Sequence, residues 1–167
     1  ARSAELSARL VSIRPLSKGD FEWVLALSAR HERETGKLDA EKLGEMRAAS
    51  YQATVVGERG GYLITFDQDG AYDSPNFLWF KARYPRFVYV DRIVIDPQAR
   101  KEGHARALYE QLFARARADG HTLVACEVNS DPPNPGSDAF HARMGFGEVG
   151  QALLGNGKTV RYLTREL

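Results

Sequence analysis

Hydrophobic and polar positions change period several times along this chain, and each change marks an element. From Arg9 to Arg14 apolar Leu10, Val11 and Ile13 sit among polar residues up to Pro15, which predicts a first strand. A helix is expected next, with Ser17 as N-cap, Asp20 and Glu22 in its first turn, and Phe21, Val24, Leu25 and Ser28 along one face. Gly36 interrupts that pattern, and a second, short helix is predicted from about Asp39 to Ala49. Ala53 to Gly57 and Tyr62 to Phe66 read as two strands of a hairpin around Glu58-Arg59-Gly60-Gly61. The stretch 67–86, with Asp-Gly, Ser-Pro-Asn and Tyr-Pro breakers, reads as a long loop.

The second half is more strongly patterned. FVYVDRIVI, Phe87 to Ile95, predicts a central fourth strand interrupted by Asp91-Arg92 and ended by Asp96-Pro97. A helix starting near Gly103 carries Ala105, Leu108, Tyr109, Leu112, Phe113 and Ala116 at spacings of three and four, with Gly120 just past its end. Thr122 to Val128 is a fifth strand. After Asp131-Pro132-Pro133, Asn134 can cap a helix that has Pro135 at its first position and stops at Gly145. Phe146 to Val149 and Thr159 to Leu163 close the chain as strands, a hairpin around Gly155-Asn156-Gly157. The order β-α-α-β-β-β-α-β-α-β-β describes an α/β chain with mixed strand directions.

Bulk properties narrow the class. With 167 residues the chain matches one ordinary domain, 1–167, that buries a sizeable core. Its 23 basic residues nearly balance 22 acidic ones, so the clustered basic face of a nucleic-acid binder is not expected. No apolar run approaches the length that spans a bilayer, and ARSAELSARL lacks the apolar core of a secretory signal. The lone Cys126 sits in an apolar run and reads as a reduced core residue, which suits a cytoplasmic setting.

Chemistry concentrates at two places. Arg100-Lys101-Glu102-Gly103-His104-Ala105 lies between the central strand and the amphipathic helix. Glycine and a small residue there let backbone N–H groups approach a phosphate, the helix dipole adds positive potential, and Arg100, Lys101 and Arg106 add charge. Arg-x-x-Gly-x-Ala after a strand ending in Asp-Pro resembles the acetyl-CoA pyrophosphate motif of the GNAT superfamily of acetyltransferases. Asn134, Ser137, Phe140, Gly145 and Phe146 resemble the second motif of that family, which follows its fifth strand. The element order agrees over nearly the whole chain.

The resemblance implies an α/β (α+β), GNAT-like fold: a mixed, mostly antiparallel sheet of about six to seven strands flanked by about four helices, with central strands four and five splayed apart. It implies acetyl-CoA as co-substrate and no metal. The pantetheine arm would lie along Ile93, Val94 and Ile95, the pyrophosphate on the N–H groups of Lys101, Glu102, Gly103, His104, Ala105 and Arg106, and Asn134, with Ser137, near the thioester. Transfer to an amine needs a base. Glu127 interrupts the apolar Leu123-Val124-Ala125-Cys126 and so should have a raised pKa, and Asp91 is the rival. His141 stands where the family usually has a tyrosine acid, and it can protonate a thiolate. The acceptor, an amine of a small molecule or a peptide end, would meet His31, Glu32 and Glu34 and the loop aromatics Tyr72, Phe77, Trp79, Phe80 and Tyr84, most of which are expected to pack. A homodimer through the carboxy-terminal strands is a further implication. A chain of the same fold that binds acyl-CoA without catalysis, or serves as a protein-interaction module, is the alternative.

Overall fold

The computed structural model describes residues 12–167, apart from the side chains of Arg33, Glu34 and Lys101. Its elements are β1 (Ile13–Pro15), a 3₁₀ turn (Lys18–Asp20), α1 (Phe21–Arg30), α2 (Glu32–Thr35), α3 (Ala40–Ala49), β2 (Gln52–Val56), β3 (Gly61–Asp67) and α4 (Pro75–Lys81). There follow β4 (Val88–Ile95), a second 3₁₀ turn (Pro97–Glu102), α5 (His104–Ala118), β5 (Leu123–Asp131), α6 (Pro135–Arg143), β6 (Gly147–Leu153) and β7 (Thr159–Glu166). The seven strands form one sheet in the order β1-β2-β3-β4-β5-β7-β6. Every neighbouring pair is antiparallel except β4 and β5.

The sheet is covered on both faces, which explains why its middle strands lack polar alternation. On one face, Val24 and Leu27 of α1, Leu43 and Met46 of α3, and Phe77 and Phe80 of α4 pack on Tyr62, Ile64, Phe66 and Tyr89. On the other, α5 lays Leu108, Tyr109, Leu112, Phe113 and Ala116 over Val56, Leu63, Val88, Val90 and Val124. Each large apolar side chain buried this way contributes about 1.5–3 kcal/mol relative to exposure. The helix ends follow from the sequence. The Asp39 side chain accepts from the Lys42 N–H, that of Asn134 from the Ser137 N–H, and Gly120 takes φ +83° just past α5.

Two expectations change. Leu10 and Val11 lie outside the described residues, and the described part of the first strand contains Pro15 instead of stopping before it, because β1 lies at the sheet's edge, where a missing N–H costs no ladder bond. The stretch read as a loop contains α4. Ser74 at the N-cap and Pro75 in its first turn start this helix, and Phe77 and Phe80, three apart, bury fully. At seven residues it is too short for its period to stand out against the breakers around it. Among the described residues no helix is long and apolar enough to cross a membrane.

Candidate active site

The site begins where β4 and β5 separate. Their parallel pairing is limited to Val88↔Val124 and Tyr89↔Ala125, after which β4 continues to Ile95 and β5 to Asp131. Beyond Tyr89 the β4 edge that faces β5 carries N–H and C=O groups with no strand beside them. On its other edge β4 pairs with β3 through a bulge: Ile64 faces Arg92 and Thr65 faces Val90, leaving Asp91 as the extra residue. A bulge re-aims side chains, and here it accounts for Asp91-Arg92 interrupting the apolar run. Val90, Asp91 and Ile93 on one side and Cys126, Glu127 and Val128 on the other line a cleft of about 110 Å³, closed at its back by Asn134, Ser137, His141 and Tyr109. A wider cavity of about 620 Å³ shares Thr35, Asp91, Glu127 and Asn129 with that cleft and opens on the α2–α4 side.

Glu127 sits at the junction. Its Oε2 accepts from the Tyr89 hydroxyl at 2.7 Å and its Oε1 from the Asn76 amide at 3.1 Å. The Tyr162 hydroxyl donates to Asn76 Oδ1 at 2.9 Å and so fixes the orientation of that amide. Burial lifts the Glu127 carboxyl to about 8, and the nearby Asp91 charge pushes the same way, while the Tyr89 and Asn76 hydrogen bonds oppose the rise. Asp91 is nearly buried as well. Burial raises its pKa, whereas the Tyr72 hydroxyl, 2.7 Å from Oδ1, and the Arg92 guanidinium, 3.4 Å from Oδ2, oppose that shift. The two carboxyl groups read as candidate bases thus face the cleft from its two sides, and burial raises both, Glu127 to about 8.

His141 is buried, not on a helix surface. Burial lowers its pKa, so the ring is neutral near pH 7. Nδ1 lies 2.8 Å from the Ser137 carbonyl and donates to it, which leaves Nε2 to accept from the Tyr109 hydroxyl at 2.7 Å. Both ring nitrogens are engaged within the protein, a different situation from a free acid facing the cleft. Cys126 is buried and its thiol is pushed far up by burial, which keeps it protonated and inert.

The glycine turn follows β4. Gly103 adopts φ +76°, the left-handed region that only a residue without Cβ takes without strain, and a Cβ built there meets nothing within 4 Å. The Ala107 N–H bonds to the Gly103 carbonyl, so the N–H groups of His104, Ala105 and Arg106 belong to the first turn of α5, where helical geometry gives them no partner within the helix. The Arg100 side chain is exposed, Arg106 pairs with Glu110 at 3.0 Å, and Glu102 with His104 Nε2 at 2.9 Å. His104 does more than contribute an N–H. Its buried ring packs on Gly57 and Gly60 of the β2–β3 turn, where a Cβ at Gly60 would come within 2.6 Å of it. An arm in the cleft and a pyrophosphate on this turn fit the residues present: an unpaired strand edge, an open approach at Gly103 and a free helix end.

Sequence reasoning missed Asn76, Tyr89 and Tyr162. Tyr89 and Tyr162 are indistinguishable in sequence from core aromatics, and both do bury. Asn76 is on the helix read as a loop, and the Ser74-Pro75 start was the signal that could have exposed it. The loop aromatics pack, as expected for most: Phe77 and Phe80 are fully buried, Tyr72 stacks on Phe66, and Trp79 stacks on Tyr162 at 4.1 Å. Tyr72 alone of these also reaches the wide cavity. His31 Nδ1 turns back to the Leu27 carbonyl at 3.0 Å, and the Glu34 and Lys101 side chains lie outside what is described.

Comparison with known proteins returns one family model, described as the acetyltransferase (GNAT) family, matched over residues 20–146. Comparison with curated proteins returned no match. Among solved structures, Ard1 from Thermoplasma volcanium is similar at TM-score 0.74 and 16% identity, covering 95% of this chain and 98% of that one. The ribosomal-protein-S18-alanine N-acetyltransferase from Escherichia coli matches at TM-score 0.67 and 15% identity over 93% of each chain. yncA from Salmonella typhimurium, solved with its cofactor acetyl-CoA, matches at TM-score 0.67 and 18% identity over 94% of each. At such identities these likenesses concern the fold.

Proposed function

From the finding that this chain belongs to the acetyltransferase (GNAT) family, we propose that it transfers an acetyl group from acetyl-CoA to a primary amine of a small molecule or a peptide end, by direct attack in a ternary complex. The observation that carries this reading is the position of Glu127, at the junction of the narrow cleft and the wide cavity with a pKa raised to about 8.

In this proposal the pantetheine arm pairs with the β4 edge at Ile93, Val94 and Ile95, and the N–H groups from Lys101 to Arg106 hold the pyrophosphate, with Arg100 beside them. Asn134 and Ser137 line the cleft near the thioester. The amine enters from the wide cavity. Glu127, once deprotonated, takes a proton from the ammonium, and its pKa of about 8 leaves only about two units to an ordinary amine near 10. The amine nitrogen then bonds the carbonyl carbon, a backbone N–H of Ile93 or Val94 meets the oxyanion, and as the C–S bond breaks the surplus proton on nitrogen passes to the departing sulfur, giving the amide and the thiol of CoA. Asp91 is the second carboxylate of the pair, and its charge raises Glu127. A thiol with a pKa near 8.5 leaves without a strong acid. The role assigned to His141 is therefore indirect: it holds the Tyr109 hydroxyl in the cleft wall.

The test is calorimetric titration with acetyl-CoA of the wild type, a Gly103→Glu variant and a Gly103→Asn control, which tolerates positive φ without adding charge. Micromolar binding that the glutamate weakens at least about tenfold and the asparagine does not, followed by thiol release with an amine panel, supports the proposal. No binding to the wild type refutes it.

A further inference from the structure

The wide cavity is walled by charge of one prevailing sign. Lys37, Lys42, Arg92 and Lys158 line it, against Asp73, Asp91 and Glu127. Burial raises the Glu127 carboxyl to about 8, so it carries little negative charge near neutral pH, and Asp91 is already set against Arg92 at 3.4 Å. Asp73 is the remaining carboxylate.

Arg92 is the unusual member. Its side chain is only 3% exposed, and its Nε has no hydrogen-bond partner, since the Asp91 carboxylate stands 3.4 Å away. Nη1 donates to the Gly36 carbonyl at 3.1 Å, and the Tyr62 hydroxyl is near enough to feel the guanidinium. With one donated hydrogen bond, one long ion pair and the Tyr62 hydroxyl beside it, this five-donor group keeps N–H donors, Nε among them, that an anionic ligand in the cavity could satisfy. The bond to Gly36 also ties the loop after α2 to the sheet and so sets the exposed Lys37 at the cavity rim. Lys42 reaches in from α3, close enough to act on the charge of Asp91.

We infer that the acceptor is a small amine that also bears an anionic group, a carboxylate or a similar oxyanion, read by Arg92, Lys37 and Lys42 while its amine faces Glu127. An amine of this kind has the ordinary dimensions of an amino acid, and a cavity of about 620 Å³ falls in the range that encloses small ligands. A cationic polyamine would instead meet like charge at the rim. The inference rests on the acetyltransferase reading of the same cavity, and it assigns Arg92, Lys37 and Lys42 as specificity residues.

The experiment compares matched acceptors in the presence of saturating acetyl-CoA: leucine, methionine, phenylalanine and glutamate against their α-amides, and β-alanine and γ-aminobutyrate against propylamine and butylamine. The expected result is a kcat/KM at least tenfold higher for an acid than for its uncharged counterpart. In a Lys37→Gln, Lys42→Gln double variant, which changes exposed side chains and should fold, that ratio should fall several-fold through a rise in KM for the acid. Arg92→Lys should lower it further. Equal use of acid and amide by the wild type overturns the inference and leaves acetyl transfer to amines standing. Tight acetyl-CoA binding without turnover of any anionic amine also overturns it. Failure to bind acetyl-CoA at all refutes the transferase reading itself, and calorimetry separates that outcome from the other two.

Discussion

The Tyr89 hydroxyl donates to Glu127 Oε2 at 2.7 Å across the point where the two central strands part. Tyr89 is the last residue of β4 paired with β5, and Glu127 lies two residues beyond its partner Ala125. The splay that opens the cleft and the hydrogen bond that orients the carboxyl therefore have one origin. Asn76, carried on α4, completes the grip from the other side, and Tyr162 and Trp79 support it.

Replacement of Glu127 by Gln preserves shape and removes the base. The variant should lose about a hundredfold or more in kcat, with the acetyl-CoA dissociation constant within about twofold of wild type. For the wild type, kcat/KM for an amine should rise with pH and level off above an apparent pKa near 8, and the variant should lose that limb. A pH profile unchanged by the substitution would sink the assignment.

The same substitution should affect stability with a definite sign. Glu127 has its pKa raised from 4.5 to about 8 in the folded protein. It therefore favours folding while protonated, below its unfolded value, and that contribution is lost as pH rises toward 8. Urea unfolding at pH 9 should find Glu127→Gln more stable than wild type by more than about 1 kcal/mol, with the advantage shrinking toward pH 5.

Asp20 behaves in the opposite way. Its carboxylate accepts from both terminal nitrogens of Arg14 at 2.7 Å, from the Ser17 N–H at 2.9 Å and from Trp23 Nε1 at 2.9 Å. The Arg14 bonds above all hold its pKa far below the ordinary carboxylate range. Its stabilisation is present above the unfolded pKa near 4 and is lost as pH falls. Asp20→Ala should cost about 2 kcal/mol at pH 7, by denaturant melts, and progressively less in acid.

Gly150 lies against Trp79, so closely that a Cβ would come within 2.5 Å of the indole ring. Gly150→Ala should push Trp79 off Tyr162, with a cost of about 1–3 kcal/mol and a changed near-UV signal. Because Tyr162 holds Asn76, the variant should also lose kcat out of proportion to KM.

The apolar periods fixed the strands and most helices in advance, since a face that must be buried leaves a repeat that survives without neighbours. Asn134 was legible for a related reason: an N-cap is a local demand on a few adjacent residues. Glu127 was legible because it breaks an apolar strand, and the pKa of about 8 agrees with that reading. No local pattern, however, distinguishes Tyr89 or Tyr162 from core aromatics, or marks Asn76 as the partner of a strand 51 residues away. Only the tertiary structure decided that His141 spends both ring nitrogens on Ser137 and Tyr109, and that Arg92, Lys37 and Lys42 gather around one cavity. Those facts depend on where distant segments meet, and the energy of a hydrogen bond or a buried charge is set by its neighbours in space, not by its neighbours along the chain.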